Sequence, residues 1–139
     1  PKWVPASAWS ALIDLWMAEV GRERVVATGR DVLIDQLTTG RLAHLQRSWQ
    51  RAFGKSLSHL ARLGPHLWRA SMRANGRIRV MDRTDGFVRL RLEGAPFVVG
   101  SPGWQALLEG GGVGLFAHAG VSAQVKLAPA LLDPTSVDA

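Results

Sequence analysis

Apolar residues recur every three to four positions over the first half of the chain, and every second position beyond it. The period therefore switches from helical to strand-like near residue 77. Trp9, Leu12, Ile13, Trp16 and Val20 form one stripe that predicts a core-facing helix over 7–20, capped by Ser7 and stopped by Gly21. A second helix is expected over 23–37 on Val25, Val26, Val32, Leu33 and Leu37, weakened at Gly29 and closed by Gly40. From 41 to 63 the pattern is clearest, with Leu42, Leu45, Trp49, Phe53, Leu60 and Leu63 on one side and Arg47, Arg51, Lys55 and Arg62 on the other. Gly64-Pro65 is expected to break this run, and Pro65 to open a short helix to Met72 carrying Leu67 and Trp68.

Beyond Asn75-Gly76, two stretches alternate base and hydrophobe: Arg77-Ile78-Arg79-Val80 and Phe87-Val88-Arg89-Leu90-Arg91-Leu92. With a turn over 82–86 they predict a hairpin, apolar on one face and basic on the other. Pro102 opens a helix over 103–117 in which Trp104, Leu107, Leu108, Leu115 and Phe116 are interleaved with Gly110, Gly111, Gly112 and Gly114. Four glycines would cost a free helix several kcal/mol, about 1 kcal/mol each, so another element must pack tightly against it. Residues 121–127 alternate again and predict a third strand, with Lys126 on its polar face. The expected architecture is α+β: N-terminal helices on one face of a small antiparallel sheet built from the hairpin and the final strand, with the other face open. One domain over 1–128 and a flexible tail over 129–139 are expected.

At 139 residues the chain can bury a core, and its longest apolar runs fall well short of the roughly 18 residues of a membrane span. The charge is the unusual feature. The net charge is +6, 14 of the 17 basic residues are arginine, and no acidic residue occurs between Asp35 and Asp82. Such a stretch sets up a local positive field for an acidic protein or nucleic acid; a solvated arginine-rich face is the competing explanation.

Candidate chemistry is sparse. Without cysteine there is no disulfide, thiolate metal site or cysteine nucleophile, and a reducing, cytoplasmic setting suits the chain. His44, His59, His66 and His118 show no zinc-binding spacing, Gly54-Lys55-Ser56 lacks the first glycine of a phosphate loop, and no nucleophile elbow occurs. No catalytic residue, metal or cofactor is assigned. The candidate partner or anion-binding residues are the sheet-face bases Arg77, Arg79, Arg89, Arg91 and Lys126, together with the helical stripe Arg47, Arg51, Lys55 and Arg62. Five bases projecting together would repel one another unless an anion or acidic partner neutralised them. Most of the six tryptophans are expected in the core; Trp3 and Trp104, near element starts, and Phe116 are the candidates for a pocket or interface.

The run from Gly103-Trp104 through Gly120-Val121-Ser122-Ala123-Gln124-Val125-Lys126, with Gly29-Arg30, Gly40-Arg41 and Leu63-Gly64-Pro65, resembles a domain found in myxobacterial signalling and motility proteins. The order of elements is also similar to the 4-vinyl reductase and haem-NO-binding-like group. That resemblance implies an α+β regulatory module that binds small hydrophobic ligands or partner proteins, although the chain lacks the cysteines often seen in reductase-like members. The expectation is a non-enzymatic signalling or adaptor domain for an acidic protein partner, with an apolar ligand pocket and a homodimer through a helical face as further features. The alternative is a nucleic-acid-binding domain that sets the basic stripe and sheet face on phosphates.

Overall fold

The computed structural model describes residues 4–54, 56–72, 76–83, 86–121, 123–129 and 137–138. Its helices are α1 (Ala6–Val20), α2 (Arg22–Thr38), α3 (Ala43–Phe53), α4 (Leu57–Ser71), α5 (Pro96–Val99) and α6 (Pro102–His118). Its strands are β1 (Arg77–Arg83), β2 (Val88–Glu93), β3 (Ala128–Pro129) and β4 (Val137–Asp138). The fold is α+β, with the sheet in the order β1-β2-β4-β3 and antiparallel throughout.

The glycine-rich α6 and α2 form the most extensive contact in the molecule. Gly29 lies against the backbone of Leu107, Gly110 against the Val26 carbonyl, and Gly114 against the backbone of Arg30, where an added methyl group would stand 2.7 Å from the carbonyl oxygen. All three are buried. The glycines that cost α6 its intrinsic helicity are therefore what lets two backbones touch, and the dense dispersion contact offsets that cost. An ion pair between Arg22 and Glu109 ties the start of α2 to the same helix.

Of the expected inward stripe of α1, only Ile13 and, half-buried, Trp16 turn inward. Ser10 and Ile13 are buried, whereas Trp9, Leu12, Leu15 and Val20 are exposed. α1 lies across the N-terminus of α6, where Gly103 abuts Ile13 and Asp14. Ser10 Oγ donates to the Phe97 carbonyl at 3.3 Å, and Asp14 Oδ1 accepts from Ser101 Oγ at 2.7 Å and from the Gly103 N–H at 2.8 Å. Orphan helix donors need an acceptor, so the polar side of α1 turns inward and its apolar side turns out. The helix starts at Ala6 after Pro5, and exposed Ser7 is not its cap.

The expected 41–63 helix is two helices. Gly54, at φ +82°, ends α3, and Ser56 caps α4 by accepting from the His59 N–H at 3.2 Å. Pro65 lies inside α4 and does not break it. An interior proline costs roughly 3 kcal/mol, but Leu60, Ala61, Leu63, Gly64, Leu67 and Trp68 are all buried around it and their packing holds the helix together.

The hairpin forms as expected, in the register Arg77↔Glu93, Ile78↔Leu92, Arg79↔Arg91 and Val80↔Leu90. A bulge at Met81 then pairs Asp82 with Arg89, which brings Asp82 to the arginine face. β1 runs to Arg83, into the expected turn, and positions 84 and 85 lie outside the described residues. Residues 121 and 123–127 are not a strand, and position 122 lies outside the described residues. Val121, Ala123, Val125 and Leu127 pack inward while Gln124 and Lys126 are exposed, so the two-residue period reports burial without pairing. β4 takes the β2 edge instead, through Arg91↔Asp138 and Leu92↔Val137. The expected tail thus includes Pro129 of β3 and all of β4, and its other positions lie outside the described residues.

The close helix contact predicts opposite effects at neighbouring glycines. Gly110→Ala should destabilise the protein by about 2–3 kcal/mol, because only backbone movement relieves the overlap. Gly111→Ala, whose added methyl meets nothing nearer than a Leu33 methyl at 3.9 Å, should be neutral or stabilising by up to about 1 kcal/mol. Urea denaturation of both variants checks this.

Candidate functional site

The core is divided into three clusters. Leu37, Leu42, Leu63, Leu67 and Leu115 form one; Trp68, Leu92, Ala95 and Val98 a second; Leu60, Ala61 and Phe116 a third. Where they would meet there is a cavity of about 300 Å³. α4 contributes Leu67, Trp68 and Met72's neighbourhood, the hairpin Ile78, Leu90 and Leu92, α6 Trp104, Leu108, Leu115 and Phe116, and the segment after α6 Val125 and Leu127. Gly111 and Gly112 also line it. The glycines of α6 thus serve two faces: Gly110 and Gly114 admit α2, while Gly111 and Gly112 leave space on the cavity side.

Ser71 supplies a hydroxyl and Trp104 an indole N–H; among the described residues no titratable side chain lines the cavity. Trp104 Nε1 is buried and has no hydrogen-bond partner among the described residues. Such a donor is costly to leave unpaired, by about 1–3 kcal/mol. Trp104 is held at the start of α6 by the Ser101 cap, whose Oγ accepts from the Trp104 N–H at 3.2 Å, and its ring packs edge-on against Phe97 at 5.6 Å. Leu33, Ser71, Met72, Trp104, Leu108 and Gly111 also line a groove of about 1040 Å³ that continues under Trp9, Leu12 and Trp16 of α1. The cavity and the outer face of the helical layer are therefore contiguous.

The sheet-face arginines are partly paired by carboxylates of the same face, which is therefore less bare than expected. Arg77 Nε and Arg79 Nη1 donate to the two oxygens of Glu93 at 3.1 and 2.8 Å, and Arg89 Nη2 pairs with Asp82 at 2.7 Å. Arg79 stands directly opposite Arg91, and Glu93, one pair along on the same face, offsets that repulsion. Half-buried Arg91 belongs to this paired surface, whereas Lys126 is exposed on a segment outside the sheet. Burial alone would raise the Glu93 carboxyl, but hydrogen bonds and charge from Arg77 and Arg79 hold it below its ordinary 4.5.

The helical stripe is different. Arg47 and Arg51 are exposed on α3 and Arg62 on α4, and none has an ion pair among the described residues. Arg62 sits 5.7 Å over the Phe53 ring, and Phe53 stacks on Trp49 at 4.6 Å. Trp49 Nε1 donates to the His59 carbonyl at 2.9 Å, which fixes α3 on α4. Lys55 and Trp3 lie outside the described residues. Trp104 and Phe116 both line the cavity. Most of its other walls were read from the sequence only as core, and the side-by-side glycines 111 and 112 were the one signal of missing volume.

Comparison of the chain with protein-family models, with curated proteins and with solved structures finds no match.

A carboxyl titrating lower in the folded than in the unfolded state contributes stability above the unfolded value, and that stability is lost as pH falls through the folded one. Glu93→Gln should therefore shrink the loss of stability between pH 7 and pH 3 relative to wild type, as read from denaturation midpoints at the two pH values.

Proposed function

We propose that this chain is a non-catalytic regulatory module that holds a small apolar ligand between α4, α6 and the hairpin, in a signalling or adaptor role. The observation that carries this is the cavity: about 300 Å³, walled by Leu, Ile, Val, Met, Phe and Trp side chains, with no titratable group to perform acid–base or nucleophilic chemistry. The indole N–H of Trp104, unpaired among the described residues, and the Ser71 hydroxyl suit a ligand that carries a hydrogen-bond acceptor such as a carbonyl or ether oxygen. This is the kind of module that the resemblance to the 4-vinyl reductase and haem-NO-binding-like group implies.

Filling the cavity tests the reading. Gly111→Leu should weaken binding of an apolar fluorescent probe such as N-phenylnaphthylamine by at least about tenfold, since each excluded methylene removes about 0.8 kcal/mol of burial. Equal binding by wild type and variant would place the probe elsewhere and defeat the proposal. Trp104→Phe should weaken an acceptor-bearing aromatic ketone by about 1 kcal/mol while leaving the matching hydrocarbon unaffected. Isothermal titration distinguishes the two.

A second reading concerns the partner. The unpaired Arg47, Arg51 and Arg62 favour a polyanionic surface, which we assign to an acidic protein rather than to a nucleic acid. The sheet face that would have widened a phosphate track is already paired with Glu93 and Asp82. Oligonucleotide binding at low salt that falls steeply with added salt, and is lost in an Arg47→Glu/Arg51→Glu/Arg62→Glu variant, would reverse that assignment. Binding of an acidic polypeptide alone, lost in the same variant, is the expected result.

A further inference from the structure

The outer face of α1 is apolar, while Ser10, Ile13 and Asp14 form its inner face, and we propose that the outer face docks a second copy of this chain. Leu15 is 68% exposed, Leu12 57% and Trp9 46%, with Val4, Val20 and Val32 of α2 beside them. The helix has only four polar side chains, and two of these, Ser10 and Asp14, are turned inward onto Phe97, Ser101 and Gly103. A surface helix ordinarily does the reverse.

Size and charge select the occupant. At side-chain areas typical of Val, Leu and Trp, the exposed parts amount to roughly 600 Å², the upper end for the largest apolar patch on a monomer. Pairing that patch with itself buries about 1,200 Å², the lower bound of a specific interface. No lysine or arginine occurs from Val4 to Val20, so two copies of a +6 chain that cross on α1 set no base of one helix against a base of the other. The bases nearest the patch lie off the helix, Arg22 and Arg24 at the start of α2 and Arg41 in the groove that Trp9, Leu12 and Val32 also line, and Glu19 is the charge on the exposed side of α1 itself. In an antiparallel crossing, Glu19 of each copy lies beside the first turn of the other, which has no acidic residue and no side-chain cap. The patch thus complements itself in charge as well as in apolar character, as an isologous interface must.

This inference is independent of the ligand. Light scattering and sedimentation of the purified chain at micromolar concentration should give twice the chain mass. Leu12→Glu/Leu15→Glu, at positions outside the core, should raise the dimer dissociation constant by at least about tenfold without changing the far-ultraviolet circular dichroism. Because the chain has no cysteine, Leu12→Cys or Leu15→Cys gives a cross-linking test that needs no disruptive charge. Mild oxidation should yield disulfide-linked dimers, and Arg62→Cys on the opposite helical pair should not. A wild-type chain that stays monomeric to about 100 µM, the weak limit for so small an interface, overturns the proposal. So does a dimer that survives the double glutamate variant, or a monomer that instead binds anionic vesicles.

Discussion

Everything in this fold is arranged around the contact of two bare backbones. Where Gly29, Gly110 and Gly114 bring α2 and α6 together, no side chain stands between the helices, so their separation is set by main-chain atoms that cannot choose another rotamer. The pair is a rigid spine. α1 crosses its start and is fastened there by Asp14, the α4–hairpin layer covers another side, and each is placed by how closely the spine closes. The tightness on one side of α6 has a counterpart on the other, where Gly111 and Gly112 offer little to fill the space. A helix so uneven in bulk keeps one neighbour near and others apart, and the three core clusters surround the gap that results.

How much of this was legible depended on whether side-chain character or spatial position decided the outcome. The need of the glycine-rich helix for a close partner followed from its propensity alone, and the partner proved to be the helix whose own Gly29 had read as a weakness. The hairpin followed from its alternation. The orientation of α1 did not, because apolar residues surround that helix and the usual stripe analysis picks the larger ones. What turned it was the demand of α6's first N–H groups for an acceptor, a requirement of a distant element. Pro65 misled in the same manner, since a local penalty was outweighed by six buried neighbours.

The candidate site was legible only at its corners. Trp104 and Phe116 stood out as large rings near a glycine tract, but an internal volume comes from the failure of several elements to meet, which no single residue records. The arginines show the converse. Charge counting placed five bases on one surface, yet the bulge at Met81 brought Asp82 to the arginine face and Glu93 reached two guanidinium groups at once. A one-residue irregularity in a strand thus added a second carboxylate to a face whose sequence had shown only bases.

The Asp14 carboxylate has a mechanical consequence. It grips the Ser101 hydroxyl and the Gly103 amide, and the next residue is Trp104, whose ring forms part of the cavity wall. α1 and that ring are thus parts of one lever pivoting on a helix N-terminus, and the outer surface of the lever is the apolar face of α1. A shift of α1 would carry Asp14 with it, and so the cap of the helix that bears Trp104. A binder on the outer face of α1 and a ligand in the cavity would therefore share one structural element, and any coupling between them would be equal in both directions.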